Sequence, residues 1–348
     1  MATPLVGIRE AEVSAWMTTN VGTTAPLRFE LVAGGRSNLT YKVLDGAGRA
    51  YALRRPPVSH LLPTAHDMAR EHRIISTLYP AGVPLPRPLG LCFDVDVNDQ
   101  PFYVMEFVEG IILRDRNTAE TYFSTEERGA ISRALTTNLA ALHDVDVDQV
   151  GLGQLARHDQ YLERQLRRWT EQFRQSSELD SEATRLTESL SRSFAATIPR
   201  QQRTSVVHGD FRLDNVVLRS DTSVQAILDW EICTLGDPIA DLGVLLMYWT
   251  EASDDAGALS EFAPTTAEGF ITRDEVLASY ALHSTLDLSE IAYYQAFGFW
   301  KLACILQGVY SRYQGGASAG DESSVSDFPD RILRLSQTAQ ALFEGRKR

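Results

Sequence analysis

The stretch from Val206 to Asp241 constrains this chain more than any other. Three short apolar, β-branched runs, 206–207, 216–218 and 224–228, read as strands. Polar residues stand at their ends: His208-Gly209-Asp210 after the first, Asn215 before the second and Asp229-Trp230-Glu231 after the third. Tight turns between such short strands predict that Asp210, Asn215 and Asp229 are handed to one cleft. Singly, each is also an ordinary turn or cap residue, because Asp and Asn bond locally to the backbone. Together they form the pattern H-G-D-x4-N-x13-D.

Three oxygen-bearing side chains in that spacing suit phosphoryl transfer. The reaction asks for metal ions held by hard oxygen ligands and for a carboxylate that orients and deprotonates a hydroxyl. Asp210 is the candidate for the carboxylate, and Asn215 and Asp229 are the candidates for Mg²⁺ ligands.

On these residues the chain resembles the aminoglycoside phosphotransferase family, whose fold is similar to that of protein kinases. The resemblance implies that Asp210 is the catalytic base, that Asn215 and Asp229 hold Mg²⁺, and that ATP is the donor. His208-Gly209 stands where protein kinases have His-Arg, and Asp229-Trp230-Glu231 where they have Asp-Phe-Gly. No Ala-Pro-Glu motif follows, which favours a small-molecule acceptor over a protein. Asp241, in Gly236-Asp237-Pro238-Ile239-Ala240-Asp241-Leu242, matches the residue that braces the catalytic loop, with His208 as a second support. The implied fold is α+β and bilobal, protein-kinase-like. Its small N-lobe has an antiparallel sheet of five strands plus one helix, and its larger C-lobe is mainly helical. The expected divisions are 1–105 for the nucleotide lobe, 106–110 for the hinge and 111–348 for the catalytic and acceptor lobe.

The rest of the N-terminal third fits that frame. Gly34-Gly35-Arg36-Ser37-Asn38 sits between two strand-like runs. Glycine-freed N–H groups there can cradle phosphate, with Gly35, Ser37 and Asn38 as candidate contacts, although an ordinary hairpin turn has the same look. In Ala50-Tyr51-Ala52-Leu53-Arg54-Arg55-Pro56-Pro57, alternation puts Ala52 and Arg54 on one face. Kinases carry Ala-x-Lys at this place, so Arg54 replaces the usual lysine and can grip phosphate with two N–H groups. Glu71, in the helical segment that follows, is the expected partner of Arg54. The runs A-L-R-R-P-P and L-L-P-T-A-H-D-M-A-R-E-H-R-I resemble one branch in particular, the kinase-like domain associated with acyl-CoA dehydrogenases. Phe102 to Gly110 resembles the hinge, where the family binds adenine through the backbone of residues matching Glu106 and Val108.

Composition narrows the partners. Net charge is −13, from 33 Lys+Arg and 46 Asp+Glu, which argues against nucleic acid. Residues 1–110 carry 10 basic and 11 acidic side chains, so the acid excess lies in the C-terminal part. Such a surface attracts cations, and because acceptor-side loops follow the core in the family this chain resembles, Asp254, Asp255 and Glu261 of the acidic stretch 251–268 are candidate acceptor contacts. It is equally what an acidic protein uses to stay soluble. Cys92, Cys233 and Cys304 are odd in number and far apart, which suggests neither a disulfide framework nor a zinc site. No apolar run reaches about 18 residues, and the first residues lack a basic-then-apolar leader. A cytoplasmic monomer or homodimer away from membranes is therefore expected. Its acceptor is a small molecule: an aminoglycoside, or alternatively a hydroxyacyl-CoA or similar metabolite. A non-catalytic nucleotide sensor is the reading from another class.

Overall fold

The computed structural model describes residues 5–32, 38–58, 67–177, 181–254, 259, 263–314 and 326–345. The chain divides into two compact units, Met1–Gly110 with Gln225–Glu231, and Ile111–Val224 with Ile232–Arg348.

The first unit contains α1 (Glu10–Asn20), β1 (Arg28–Leu31), β2 (Leu39–Leu44), β3 (Ala50–Arg55), α2 (Met68–Leu78), β4 (Pro88–Cys92) and β5 (Phe102–Glu106). The strands form one antiparallel sheet in the order β1-β2-β3-β5-β4. Strand alternation sorts the side chains onto two faces. Tyr41, Val43, Leu53, Phe102 and Val104 are buried on one face, where Val13 and Met17 of α1 join them. Arg54 lies on the other, directly opposite Tyr103 of β5 and Thr40 of β2. Helix α1 falls within residues 6–20, whose short amphipathic pattern predicts a capping helix, and it buries only the narrow stripe Val13 and Met17.

Helix α2 packs on β4 and β5. Asp67 caps it by accepting from the Arg70 N–H at 2.9 Å. Its buried stripe is Met68, Glu71, Ile74, Ile75 and Leu78, so a glutamate stands where the 3.6-residue period calls for an apolar side chain. A buried carboxylate of this kind needs a partner.

The second unit is built mainly of helices: α3 (Arg116–Tyr122), α4 (Thr125–Asp144), α5 (Tyr161–Ser176) and α6 (Glu182–Ala196). The short strands β6 (Ser205–Val207) and β7 (Val216–Leu218) follow, then β8 (Val224–Ile227), whose residues from Gln225 on belong to the first unit. After β9 (Thr234–Gly236) come α7 (Ile239–Tyr248), α8 (Arg273–Ala281), α9 (Ile291–Gln314) and α10 (Phe328–Gly345). Two capping boxes, spelled in the sequence as Ser124-x-x-Glu127 and Thr272-x-x-Glu275, open α4 and α8. Neither α3 nor β9 was expected. β9 is three residues long and exists because β6 pairs with it, Val206 opposite Leu235.

The core of this unit is aromatic. Trp169, Phe173, Phe194, Tyr293, Phe297 and Trp300 pack together from α5, α6 and α9. Helix α7 is buried along nearly its whole length, and a Cβ at Gly243 would stand 2.7 Å from the backbone of Tyr294 on α9. Backbone cannot move aside as a side chain tip can. Gly243→Val is therefore expected to cost about 3 kcal/mol, the upper end for overpacking, read from urea unfolding midpoints. An unchanged midpoint would mean that α7 and α9 can separate freely. Cys92, Cys233 and Cys304 are all buried free thiols. No described helix is long and apolar enough to cross a membrane.

Candidate active site

In the first unit, the functional candidates gather around Arg54. Its Nη2 lies 2.6 Å from Asp229 Oδ1 and 3.3 Å from Glu231 Oε2, and its Nε lies 3.2 Å from Glu71 Oε2. Tyr103 donates its hydroxyl to Glu71 Oε2 at 3.0 Å. Asn38 donates to Glu71 Oε1 at 2.9 Å and to Glu231 Oε2 at 3.1 Å. Three carboxylates thus share one guanidinium. Burial pushes the Glu71 carboxyl up to about 7, against the pull of Arg54 and the Tyr103 hydroxyl. Burial also opposes the charge on Arg54, yet Tyr103, Glu71 and Asp229 outweigh it and raise its pKa.

Asp229 follows directly on the end of β8 and Leu228, and its φ is +64°. Non-glycine residues seldom adopt that region, and Asp is among the few that tolerate it. The turn aims its carboxylate at Arg54, and its Oδ2 accepts no hydrogen bond among the described residues. Ala52 is buried beside Arg54 on the same strand face. At the end of β5 the Glu106 N–H donates to Arg87 O at 2.8 Å. Val108, two residues on, has its backbone outside the ladder. Gly35 and Ser37 lie outside the described residues.

In the second unit, the turn after β6 is held from below by Asp241. This fully buried carboxylate accepts the N–H of His208 at 2.5 Å and of Gly209 at 2.7 Å. His143 Nε2 stands 3.4 Å away, and His143 is itself fixed by the Tyr280 hydroxyl at 2.8 Å. Burial alone would raise the Asp241 pKa; His143, His208 and the Gly209 N–H reverse the direction and hold it low. Gly209 has φ +86°, and a Cβ there would meet Ile232 at 3.1 Å. Glycine is what lets the chain turn and present Asp210.

Asn215 fixes Asp210 twice. Its Nδ2 donates to the Asp210 carbonyl and to Asp210 Oδ2, both at 2.9 Å. Arg212 Nε is 3.4 Å from Asp210 Oδ2, and Arg212 also pairs with Asp214 at 3.3 Å. Both Asn215 donors are spent on Asp210, so its Oδ1 is turned away as an acceptor. Among the described residues no group of three or more His, Cys, Asp or Glu side chains is arranged to hold a metal. Each unit offers one hard oxygen of the kind Mg²⁺ takes beside phosphates and water: the Asn215 amide oxygen in the second, and Asp229 Oδ2 in the first.

A cavity of about 230 Å³ adjoins this loop, lined by Arg114, Arg212, Asp214, Tyr248, Trp249 and Arg331. A second, of about 490 Å³, shares Thr250 and Leu259 with it and includes Arg116, Glu251, Asp254 and Arg273. Asp254, predicted from its acidity, is not free to meet a cation, because it forms an ion pair with Arg273, which also holds Glu251 at 3.4 Å. Asp255 and Glu261 lie outside the described residues. Of the arginines before and on α5, Arg157 lies 3.7 Å and Arg164 4.0 Å from Asp159, and Arg168 sits over Trp169. Sequence reasoning had not given a role to Glu231, Tyr103 or Arg331. Glu231 was visible as the residue after Asp229-Trp230, but nothing in one dimension shows that it reaches Arg54.

A five-stranded antiparallel sheet whose strand cation pairs with a buried helix glutamate, and a mainly helical unit with an Asp-braced H-G-D turn, are the two parts of the kinase-like fold. The profile of the phosphotransferase enzyme family matches residues 28–278, and the chain belongs to that family. A candidate aminoglycoside phosphotransferase from Ralstonia eutropha JMP134 is 31% identical, with a TM-score of 0.80 over 96% of this chain and 98% of that one. Mouse acyl-CoA dehydrogenase family member 10 is 36% identical over 299 residues, 85% of this chain and 27% of the relative. Human acyl-CoA dehydrogenase family member 11 is 32% identical over 326 residues, 91% of this chain and 40% of the relative. The chain thus spans well under half the length of these curated relatives. Amicoumacin kinase, solved with AMP-PNP, has a TM-score of 0.61 at 15% identity over 97% of this chain and 94% of that one, which is a likeness of fold.

Proposed function

We propose that this protein transfers the γ-phosphoryl group of ATP to a hydroxyl of a small molecule. The observation that carries the reading is the Asp210–Asn215 unit: a carboxylate on a braced turn, oriented by an amide whose own oxygen is left for a cation. Asp210 accepts the hydroxyl proton as the acceptor oxygen bonds to the γ-phosphorus and the bond to the ADP oxygen breaks. Asn215 and Asp229 are the residues that would hold Mg²⁺, which would supply positive charge to offset the charge on the phosphates during transfer. Arg54, tied to Glu71, supports the phosphates, with Gly35, Ser37 and Asn38 on the phosphate loop and Ala52 beneath the base. The Glu106 and Val108 backbone receives adenine. His208 and Asp241 keep the loop in shape.

The cavity beside Arg212 favours one class of acceptor. Arg114, Arg212 and Arg331 face it against one lining carboxylate, Asp214. Guanidinium groups grip carboxylate and phosphate in a bidentate fashion and repel polyamines. This supports an acceptor that carries an anion besides its hydroxyl, such as a hydroxyacyl-CoA, over a cationic aminoglycoside. The relatives named for acyl-CoA dehydrogenases point to the same candidates. ATP consumption is to be screened over hydroxyacyl-CoAs, aminoglycosides and amino alcohols, with Asp210→Asn as the blank. Turnover with a hydroxyacyl-CoA is expected. Turnover with aminoglycosides alone would return the acceptor to the cationic class, and no turnover with bound nucleotide would favour a sensor. Arg331→Ala is expected to raise the KM of an anionic acceptor about tenfold, as loss of one charge-assisted contact does, with kcat little changed. An unaltered KM would remove Arg331 from the acceptor site.

A further inference from the structure

Helix α9 is aromatic and apolar on its inward side, yet it carries a lysine, Lys301, between Trp300 and Leu302. The Lys301 Nζ donates to the carbonyl of Gly209 at 3.3 Å and stands 5.7 Å from the centre of the Trp169 ring. No carboxylate forms an ion pair with it among the described residues. Burial lowers its pKa, while Asp210 and Asp241 act in the opposite direction. A cation half-buried against the Trp169 ring without an ion-pair partner is costly, and a leucine or methionine would fill the same space at less cost.

What the lysine grips gives the reason. The peptide joining Gly209 to Asp210 is held at both ends. Its carbonyl receives Lys301, and its N–H donates to His208 Nδ1 at 3.3 Å. In the two peptides before it, Asp241 takes the N–H groups of His208 and Gly209. The loop is thus clamped by an anion on its donors and by a cation on its acceptor. Gly209 is the residue with φ +86°, where the chain has most freedom to rotate. Rotation of the Gly209–Asp210 peptide would swing the Asp210 carboxylate off its aim. We propose that Lys301 is a positioning residue for the phosphoryl-transfer step: it locks the peptide before Asp210 so that the carboxylate meets the acceptor hydroxyl.

The functional half of this inference rests on the phosphotransferase reading, and the structural half does not. Two readouts separate them. Hydrogen exchange of the amides in 206–213 is measured on the full-length protein without ligands, for wild type, Lys301→Met and Lys301→Arg. Lys301→Met is expected to speed exchange in this segment about tenfold or more, as loss of a local clamp does, and Lys301→Arg to stay close to wild type. The same proteins are then assayed for phosphate release from Mg-ATP with water as acceptor. Lys301→Met is expected to lower kcat about 30-fold, since misaiming a reacting group by about 1 Å costs on the order of 10²-fold. The Kd for ATP stays within about threefold, and Lys301→Arg restores most of kcat. Unchanged exchange in Lys301→Met overturns the clamp. Faster exchange with unchanged kcat overturns the positioning role. A wild-type protein that neither binds nor hydrolyses ATP brings down the phosphotransferase reading, and with it the positioning role; the exchange data then still decide the clamp.

Discussion

Asp210→Asn lowers turnover about 10³-fold, within the range for loss of a general base, and leaves ATP affinity within about twofold. The substitution keeps the shape of the side chain and its place against Asn215, but an amide cannot take the acceptor proton. ADP formation in the presence of the acceptor gives the first number, and calorimetric titration with ATP gives the second. The neighbours of Asp210 make the separation clean. Its backbone is held by His208 and Asn215, and the turn by Asp241, so removing one charge should not unfold the loop. Turnover near wild type in Asp210→Asn would take the base assignment away.

Arg54→Met destabilises the protein by about 3 kcal/mol, the low end for breaking a buried ion pair by removing one partner. Glu71 is 2% exposed and the Arg54 side chain 12% exposed, so solvent screens their pairing little. Without the guanidinium, Glu71, Asp229 and Glu231 are left sharing one region with only Asn38 and Tyr103 as donors, and Glu71 would take up a proton. Methionine fills the stem's volume, which keeps the loss electrostatic. Urea unfolding of the two proteins checks the figure. A change below about 0.5 kcal/mol, the scale of a surface pair, would show that the cluster is solvated and that Arg54 is not central to this unit. Arg54→Lys should recover part of the stability, because an ammonium cannot reach three carboxylates with a planar fork.

The parts of this protein that were legible in the sequence are those written locally. The H-G-D turn needs a glycine at positive φ, and it stands in the chain as His208-Gly209-Asp210. Capping boxes at Ser124 and Thr272 are spelled within four residues. Alternation along β3 put Ala52 and Arg54 on one face without any tertiary information. What was not legible depends on long-range contacts. β9 is a strand only because β6 lies beside it, and α3 has too few apolar residues to show a stripe. Net charge pointed to an acidic acceptor surface, but Asp254 is spent on Arg273 and the cavity beside Arg212 is lined by arginines. A whole-chain charge count cannot separate paired carboxylates from free ones. Lys301 had one available signal, a cation midway along an aromatic helix, and nothing in the sequence said which carbonyl it would meet.

The account depends most on Asn215 and Asp229 as ligands of the nucleotide's metal, and calorimetric titration of ATP with and without Mg²⁺ tests that directly. Wild-type protein is expected to bind ATP at least tenfold more tightly with Mg²⁺, and Asn215→Ala and Asp229→Ala are each expected to lose most of that gain, in keeping with a metal held by one or two protein oxygens plus phosphates. Equal ATP affinity with and without Mg²⁺ in the wild type, or a full Mg²⁺ effect in both variants, would contradict it.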